Sequence, residues 1–424
     1  MLLSALSSAL SLFGFATSPP AQDLFQPHVA NTPQPLTFQL RHLHGVMDDS
    51  NIIFHDVPQQ FSAASTHSVT TRRTKVPRPK LQADFHRARR RARTEGILET
   101  LDWDEDEVVA PDATNRETLL ELAKMTNNAY LEPGDDGWYN LTDNWNKSSP
   151  FGWEPDADGF RGHIFVSSDE STVVLSIKGT SAGVLGGGGP TVRKDKFNDN
   201  LLFSCCCARV DWSWTTVCDC YGGGWKCDQD CLEQSLVEES LFYTIGTNLY
   251  NNVTYLYPNA NIWLVGHSLG GALAGLLGVT FGVPVVAFEA PGEKMASRRL
   301  HLPSPPSTMH ITHVYHTADV IAMGACNGVM SSCAIAGYAM ESRCHLGVSS
   351  VYDTMTKLNW SSDVRTHRIG VVIDQLLSKD WEEGLPVPKA EPEDDCVECY
   401  SWEYGKFKNS TTGSLHARSG CPRS

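Results

Sequence analysis

Gly266-His267-Ser268-Leu269-Gly270-Gly271 follows the apolar run Asn261-Ile262-Trp263-Leu264-Val265 and opens onto Ala272-Leu273-Ala274-Gly275-Leu276-Leu277, a helix-forming stretch. A G-x-S-x-G segment set between a strand and a helix is a nucleophile elbow. The serine of such a turn sits in a strained backbone conformation, and Cβ atoms two residues to either side would collide, so glycine is needed at both flanks. The strand before and the helix after carry this reading, because the five-residue pattern alone is common.

Outward from the elbow, residues 163–166 and 171–177 read as a β pair from their β-branched content and the Ser-Asp-Glu turn between them. Residues 233–250 have the apolar spacing of a helix, as do 118–125, with Asn115 placed to cap the latter. Residues 283–288 and 310–315 read as further buried strands. Strands alternating with helices predict an α/β-hydrolase with a mostly parallel central sheet covered by helices on both faces. Between the β pair and the elbow lies an insertion, 181–230, that starts with glycine-rich 183–190 and runs into seven cysteines between Cys205 and Cys231. It predicts a cysteine-rich, lid-like mobile cover.

The rest divides by composition. Residues 1–18 are apolar and small and read as a signal sequence, either cleaved near Gly14-Phe15-Ala16 or retained as an anchor. Residues 19–110 lack sustained periodicity and hold a basic run at 87–93 and an acidic run at 102–107, which predicts a low-order stalk. The basic run itself reads as a solvated helix face. The hydrolase domain is expected over 111–380, followed by a polar tail over 381–424 in which Cys396 and Cys399 are expected to bridge each other. No internal repeat is evident.

Thirteen cysteines and five N-x-S/T sequons, at Asn140, Asn146, Asn252, Asn359 and Asn409, place the chain in the secretory pathway as a glycoprotein with disulfides. The cysteine spacings lack C-x2-C pairs with companion histidines, so disulfides rather than zinc are expected, with no metal and no cofactor. With 34 Lys and Arg against 49 Asp and Glu, the net charge is −15. The first hundred residues carry 11 basic against 7 acidic side chains, so the body beyond them is acidic, which argues against nucleic acid as a partner.

A serine hydroxyl needs a histidine to take its proton and a carboxylate to hold that histidine, and behind this elbow the chain order is Ser, acid, His. Asp319, just past the 310–315 strand, is the expected acid, with Glu289 as its rival. Of the later histidines, His416 lies in the polar tail and His345 abuts Cys344, which leaves His367 as the expected base. His267 reads as a packing or orienting residue. The backbone N–H of Leu269 and that of Thr180, next to Gly179, are expected to form the oxyanion hole.

Lys178-Gly179-Thr180, the elbow and Asp319 in this order, together with Pro150-Phe-Gly-Trp-Glu154, Phe160-Arg-Gly-His-Ile164 and the stretch from Lys194 to Cys207, resemble the class 3 (fungal triacylglycerol) lipases. The similarity is greatest to the branch of fungal vacuolar lipases that disintegrate autophagic bodies. The resemblance implies a lipase that acts on triacylglycerol and membrane phospholipid, with lipid vesicles as its partner. It further implies a single-pass type II protein of endosomal and multivesicular-body membranes that reaches the vacuole lumen. An esterase of soluble or cell-wall esters, such as feruloyl groups, and a non-catalytic membrane adaptor on the same fold are the alternatives.

Overall fold

A computed structural model describes residues 35–46, 52–59, 66–132, 135–139, 160–167, 170–180, 192–210, 214, 216–239, 241–381 and 386–407. The strands of the main sheet are β1 (Pro35–Val46), β2 (Ile52–Asp56), β3 (Thr66–Pro79), β4 (Trp103–Pro111), β5 (Gly162–Ser167) and β6 (Thr172–Ile177). After a small hairpin of β7 (Tyr221–Gly223) and β8 (Lys226–Asp228) come β9 (Asn261–His267), β10 (Val285–Phe288), β11 (Ile311–His316), β12 (Val348–Tyr352), β13 (Glu391–Pro392) and β14 (Glu403–Gly405). The spatial order is β13-β12-β11-β10-β9-β6-β5-β1-β3-β4, with β2 paired to β1.

Strands β6, β9, β10, β11 and β12 are mutually parallel, and this is the part of the sheet that carries the elbow. Their side chains alternate between two cores. Ile262 and Leu264 of β9 join one core with helices α5 (Leu241–Leu256) and α6 (Leu269–Phe281). Trp263 and Val265 join the other with α2 (Arg116–Asn128) and the helical segment at 369–377. A strand buried on both faces has no polar side to show, which is why β9 reads as a continuous apolar run. Asn115 caps α2, its side chain accepting from the Thr118 N–H at 2.8 Å. The helical run before the elbow is longer than 233–250, with α4 (Gln229–Glu239) and α5 on either side of residue 240.

The stalk reading of 19–110 is overturned from residue 35 onward. Strands β1, β3 and β4 extend the sheet antiparallel from β5, and Phe38, Leu40, Val69 and Val76 are fully buried. The charges that suggested low order face each other across the β3–β4 ladder. Lys75 meets Glu105 at 2.6 Å, Arg73 meets Glu107 at 3.2 Å and Arg78 meets Asp106 at 3.3 Å. These pairs are open to solvent, so they favour this register more than they stabilise it. The basic run at 87–93 is helix α1 (Gln82–Glu95), docked through Phe85, Ala88 and Ala92, with Arg89 donating to the Leu300 carbonyl.

The cysteine-rich insertion is present, and from residue 192 it packs against the rest of the fold. Helix α3 (Val192–Phe203) buries Leu201, Leu202 and Phe203, and the segment after it is knitted by Cys206–Cys227, Cys207–Cys218 and Cys220–Cys231. The buried Arg299 guanidinium donates to the carbonyls of Ser204 and Cys205, at 2.7 and 2.8 Å. Such a segment is part of the body; residues 181–191 lie outside the described residues. Among the described residues, one group of three sulfurs (Cys207, Cys218, Cys220) is close enough to hold a metal, but all three are in disulfides and offer no thiolate.

In the tail, Cys396 and Cys399 do not bridge each other. Cys396 pairs with Cys344 and Cys399 with Cys205, closing loops of 52 and 194 residues. A long closed loop constrains the unfolded chain far more than a three-residue one. Strand β13 adds to β12 and β14 adds to β8. Between them Glu393 accepts from Tyr315 Oη at 2.8 Å, Ser349 Oγ at 2.6 Å and His345 Nδ1 at 2.8 Å.

Two outcomes test this architecture. Phe38→Ala should lower the unfolding free energy by about 3–5 kcal/mol in equilibrium urea titration, because it empties a core site against Trp263. Burial pulls the His345 imidazole down, but the hydrogen bond and charge of Glu393, with Glu293 and the Ala290 carbonyl, carry it above its ordinary value. A histidine raised on folding stabilises below about pH 6.5 and loses that contribution as pH rises through its folded value. The His345 contribution should therefore be lost between pH 6 and 8, so the thermal midpoint of His345→Gln, taken relative to the unsubstituted protein, should rise over that interval.

Candidate active site

Strand β9 delivers the chain into the elbow, and Ser268 takes φ 56° and ψ −131° before α6 begins at Leu269. A Cβ on Gly266 would meet the backbone of Gly270, and one on Gly270 would meet the backbone of Ile177 and Lys178. The Ser268 N–H donates to the Phe288 carbonyl at 3.0 Å, which ties the turn to the end of β10. Strain at a non-glycine residue with positive φ is held by such surroundings.

The next two parallel strands supply the partners. Asp319 follows β11, its Oδ1 accepting from the Ile321 N–H at 2.9 Å. His367 ends a short 3-10 turn, Val364–His367, beyond β12. Its Nδ1 donates to Asp319 Oδ2 at 2.7 Å, and its Nε2 lies 2.8 Å from Ser268 Oγ. All three side chains are buried, Asp319 completely. Burial alone would raise the Asp319 carboxyl, but the charge and hydrogen bond of His367, with further help from Glu289 and His316, hold it well below the usual carboxylate range. The group facing the imidazole is thus an anion.

His267 sits behind the histidine. Its Nε2 is 2.7 Å from the His367 carbonyl and its Nδ1 is 2.7 Å from Tyr130 Oη. A carbonyl can only accept, so Nε2 carries the proton and Tyr130 donates to Nδ1. Burial, then the charge of His367, push the His267 imidazole down to about 3, so the ring is neutral and acts as a strut under the His367 backbone.

Gly179 passes so close to the elbow that a Cβ there would meet the His267 carbonyl, with Ser268 Cβ at 3.1 Å. Thr180 follows, its hydroxyl donating to Asp199 Oδ2 at 2.6 Å. Burial raises the Asp199 carboxyl to about 8, against the Thr180 hydrogen bond, which lowers it. Leu269 is the first residue of α6, so its N–H belongs to the first-turn donors that have no intrahelical acceptor.

Ser268, His367, Thr180 and Asp199 line one cavity of about 340 Å³, whose other walls include Leu131, Ile321, Tyr338, Met340, Val364 and Ile369. The rival base, His345, is bonded to Glu393 and the Ala290 carbonyl instead. The rival acid, Glu289, lies beside Asp319 rather than in its place. His416, Asn140, Asn146 and Asn409 lie outside the described residues, while Asn252 and Asn359 are exposed. Tyr130 and Asp199 are lining groups that sequence patterns did not single out, because nothing in either local sequence ties it to a serine 138 or 69 residues away.

A serine at the elbow of a parallel sheet, joined through histidine to a buried aspartate, defines the serine ester hydrolases of α/β-hydrolase fold. The class 3 lipase family model matches residues 233–323, which span the elbow and Asp319. A protein of Cryptococcus neoformans var. neoformans serotype D, described as "Putative lipase ATG15", is 53% identical over 367 residues, covering 72% of this chain and 70% of that one. Its counterpart in Saccharomyces cerevisiae (strain ATCC 204508 / S288c) is 51% identical over 311 residues, covering 71% of this chain and 59% of that protein. Among solved structures, the Lip2 lipase of Yarrowia lipolytica is 16% identical, with 55% of this chain and 78% of that one covered and a TM-score of 0.27. The chain belongs to the fungal ATG15 lipase family, and it is a lipase.

Gly179→Ala tests the close approach beside the elbow. Displacing the Gly179–Thr180 segment by the width of a methyl group should lower kcat/KM on a short-chain ester about a hundredfold, with the far-ultraviolet circular dichroism unchanged.

Proposed function

We propose that Ser268 is the nucleophile of a serine lipase, His367 its general base and Asp319 the carboxylate that orients and balances the imidazole. The hydrogen-bonded chain from Ser268 Oγ through both His367 nitrogens to Asp319 Oδ2 carries the reading. In the first step His367 Nε2 takes the hydroxyl proton as Oγ attacks the ester carbonyl. The oxyanion that forms is met by the N–H groups of Leu269 and Thr180, with Asp199 fixing the Thr180 side chain. Collapse expels the glycerol-side alcohol, protonated by His367, and leaves an acyl group on Ser268. Water, deprotonated by the same histidine, then releases the fatty acid.

The substrates we assign are glycerolipids, both triacylglycerol and membrane phospholipid. The apolar side chains that wall the cavity, among them Leu131, Ile321, Met340 and Ile369, suit an acyl chain. The cellular task that fits such a lipase in this family is lysis of autophagic bodies and of multivesicular-body vesicles in the vacuole. Delivery would run through the secretory pathway, for which six disulfides and the exposed sequons at Asn252 and Asn359 speak. Among the described residues no helix is long and apolar enough to cross a membrane. A type II anchor would fall to residues 1–18, outside them.

Purified protein incubated with phospholipid vesicles should release fatty acid and vesicle contents together. Ser268→Ala should reduce fatty-acid release at least about a thousandfold and stop the leakage. Leakage that persists in Ser268→Ala without fatty acid would replace hydrolysis with membrane disruption as the activity.

A further inference from the structure

Glu289 follows β10 and is fully buried, yet it takes φ 44°, a conformation that favours glycine. Its N–H donates to the Val314 carbonyl at 3.0 Å, which pins the backbone there. A long acidic side chain kept in a strained, dry position is costly unless it has a task. Its carboxyl lies within hydrogen-bond reach of the Asp319 carboxyl.

The groups facing Glu289 decide its state of charge. Oε2 receives one long contact from the His316 N–H, at 3.4 Å. Oε1 is buried with no donor to accept from. The His316 ring is 3.8 Å from Oε1, but its Nε2 is 3.1 Å from the Thr366 carbonyl, which only accepts, and its Nδ1 is 3.5 Å from Thr354 Oγ1. That ring is held neutral by burial, its largest influence, over the opposing charge of Asp319. The phenols of Tyr315 and Tyr352 are also within electrostatic reach and supply no positive charge, and the His367 ring is engaged with Asp319. A carboxylate here would have an orphaned oxygen and a second carboxylate at its side. A carboxylic acid leaves neither, because its own O–H becomes the missing donor and Asp319 the acceptor. Burial first, then the Asp319 charge, push Glu289 in that direction.

We infer that Glu289 is a neutral carboxylic acid that donates its proton in a hydrogen bond to Asp319, and so acts as a positioning residue behind the triad. The inference rests on the assignment of Asp319 as the triad acid. Asp319 then receives three donors, from Ile321 N–H, His367 Nδ1–H and Glu289 O–H, and has no freedom to turn away from the imidazole. The added donor disperses charge on Asp319 without neutralising it, so the imidazolium formed during reaction keeps its counter-ion.

Three measurements test this. Glu289→Gln keeps shape and an N–H donor, so kcat should stay within about threefold and the acidic limb of the kcat/KM profile should not move. If Glu289 were ionised, removing its charge would lower the histidine value and shift that limb to lower pH, which overturns the inference. Glu289→Gly relieves the backbone and removes the donor. Its kcat should fall about tenfold or more with KM unchanged, and unchanged kcat would dismiss the positioning role. In the infrared difference spectrum of Ser268→Ala minus Ser268→Ala/Glu289→Gln at pH 7, the contribution of protonated Asp199 cancels and a protonated-carboxyl band should remain; its absence refutes the neutral acid. That band does not depend on turnover, whereas failure of the triad assignment would appear as an active Ser268→Ala protein.

Discussion

The close approach of three backbone segments around Ser268 governs this molecule. The ends of β6 and β9 and the start of α6 pass within contact at Gly179, Gly266 and Gly270, where a methyl group has no room. Only in that geometry does Ser268 stand at φ 56° with its hydroxyl in the cavity. Parallel strands present their carboxyl ends along one edge, so the loops after β11 and β12 bring Asp319 and His367 to the same place.

The ionisable side chains of the site are buried, and the proton inventory follows from that. Low polarity makes each unpaired charge expensive and each paired one firm. Asp319 stays ionised because a histidine faces it, while His267, also buried, is neutral because burial outweighs the hydrogen bond it gives to a carbonyl. Glu289 and Asp319 are adjacent carboxyl groups that cannot both be charged at low cost, and the one that no imidazole N–H faces keeps the proton. Asp199, raised to about 8, is a second buried acid, bonded to the Thr180 hydroxyl.

Covalent bonds and apolar packing divide the work. The sheet is held by alternating side chains on two faces, as in β9, and contains no cysteine. Disulfides instead fasten what the sheet cannot enclose. Three knit the segment after α3, and two more tie the tail to it and to the loop before β12. The tail thereby brings Glu393 under Tyr315 and His345, so a polar, charge-rich stretch ends as a clasp on the body.

The residues near Ser268 in the chain were legible because local sterics and periodicity act over a few residues. The elbow glycines, the apolar run of β9, the Asn115 cap and the order Ser268, Asp319, His367 all follow from short-range requirements or from the chemistry of a nucleophile. What the sequence left open depends on distant partners. The described part of 19–110 reads as low order because charges such as Lys75 and Arg73 find partners across the β3–β4 ladder and apolar side chains such as Phe38 find a core against distant Trp263. Cys396 and Cys399 are three apart in the chain, yet their partners lie 52 and 194 residues away, a choice that spacing cannot make. Glu289 and Asp319 were competitors for one role in the sequence. Their common burial at adjacent strand ends gives each its own role, because charge and hydrogen-bond capacity in a dry interior are properties of the neighbourhood and not of the residue.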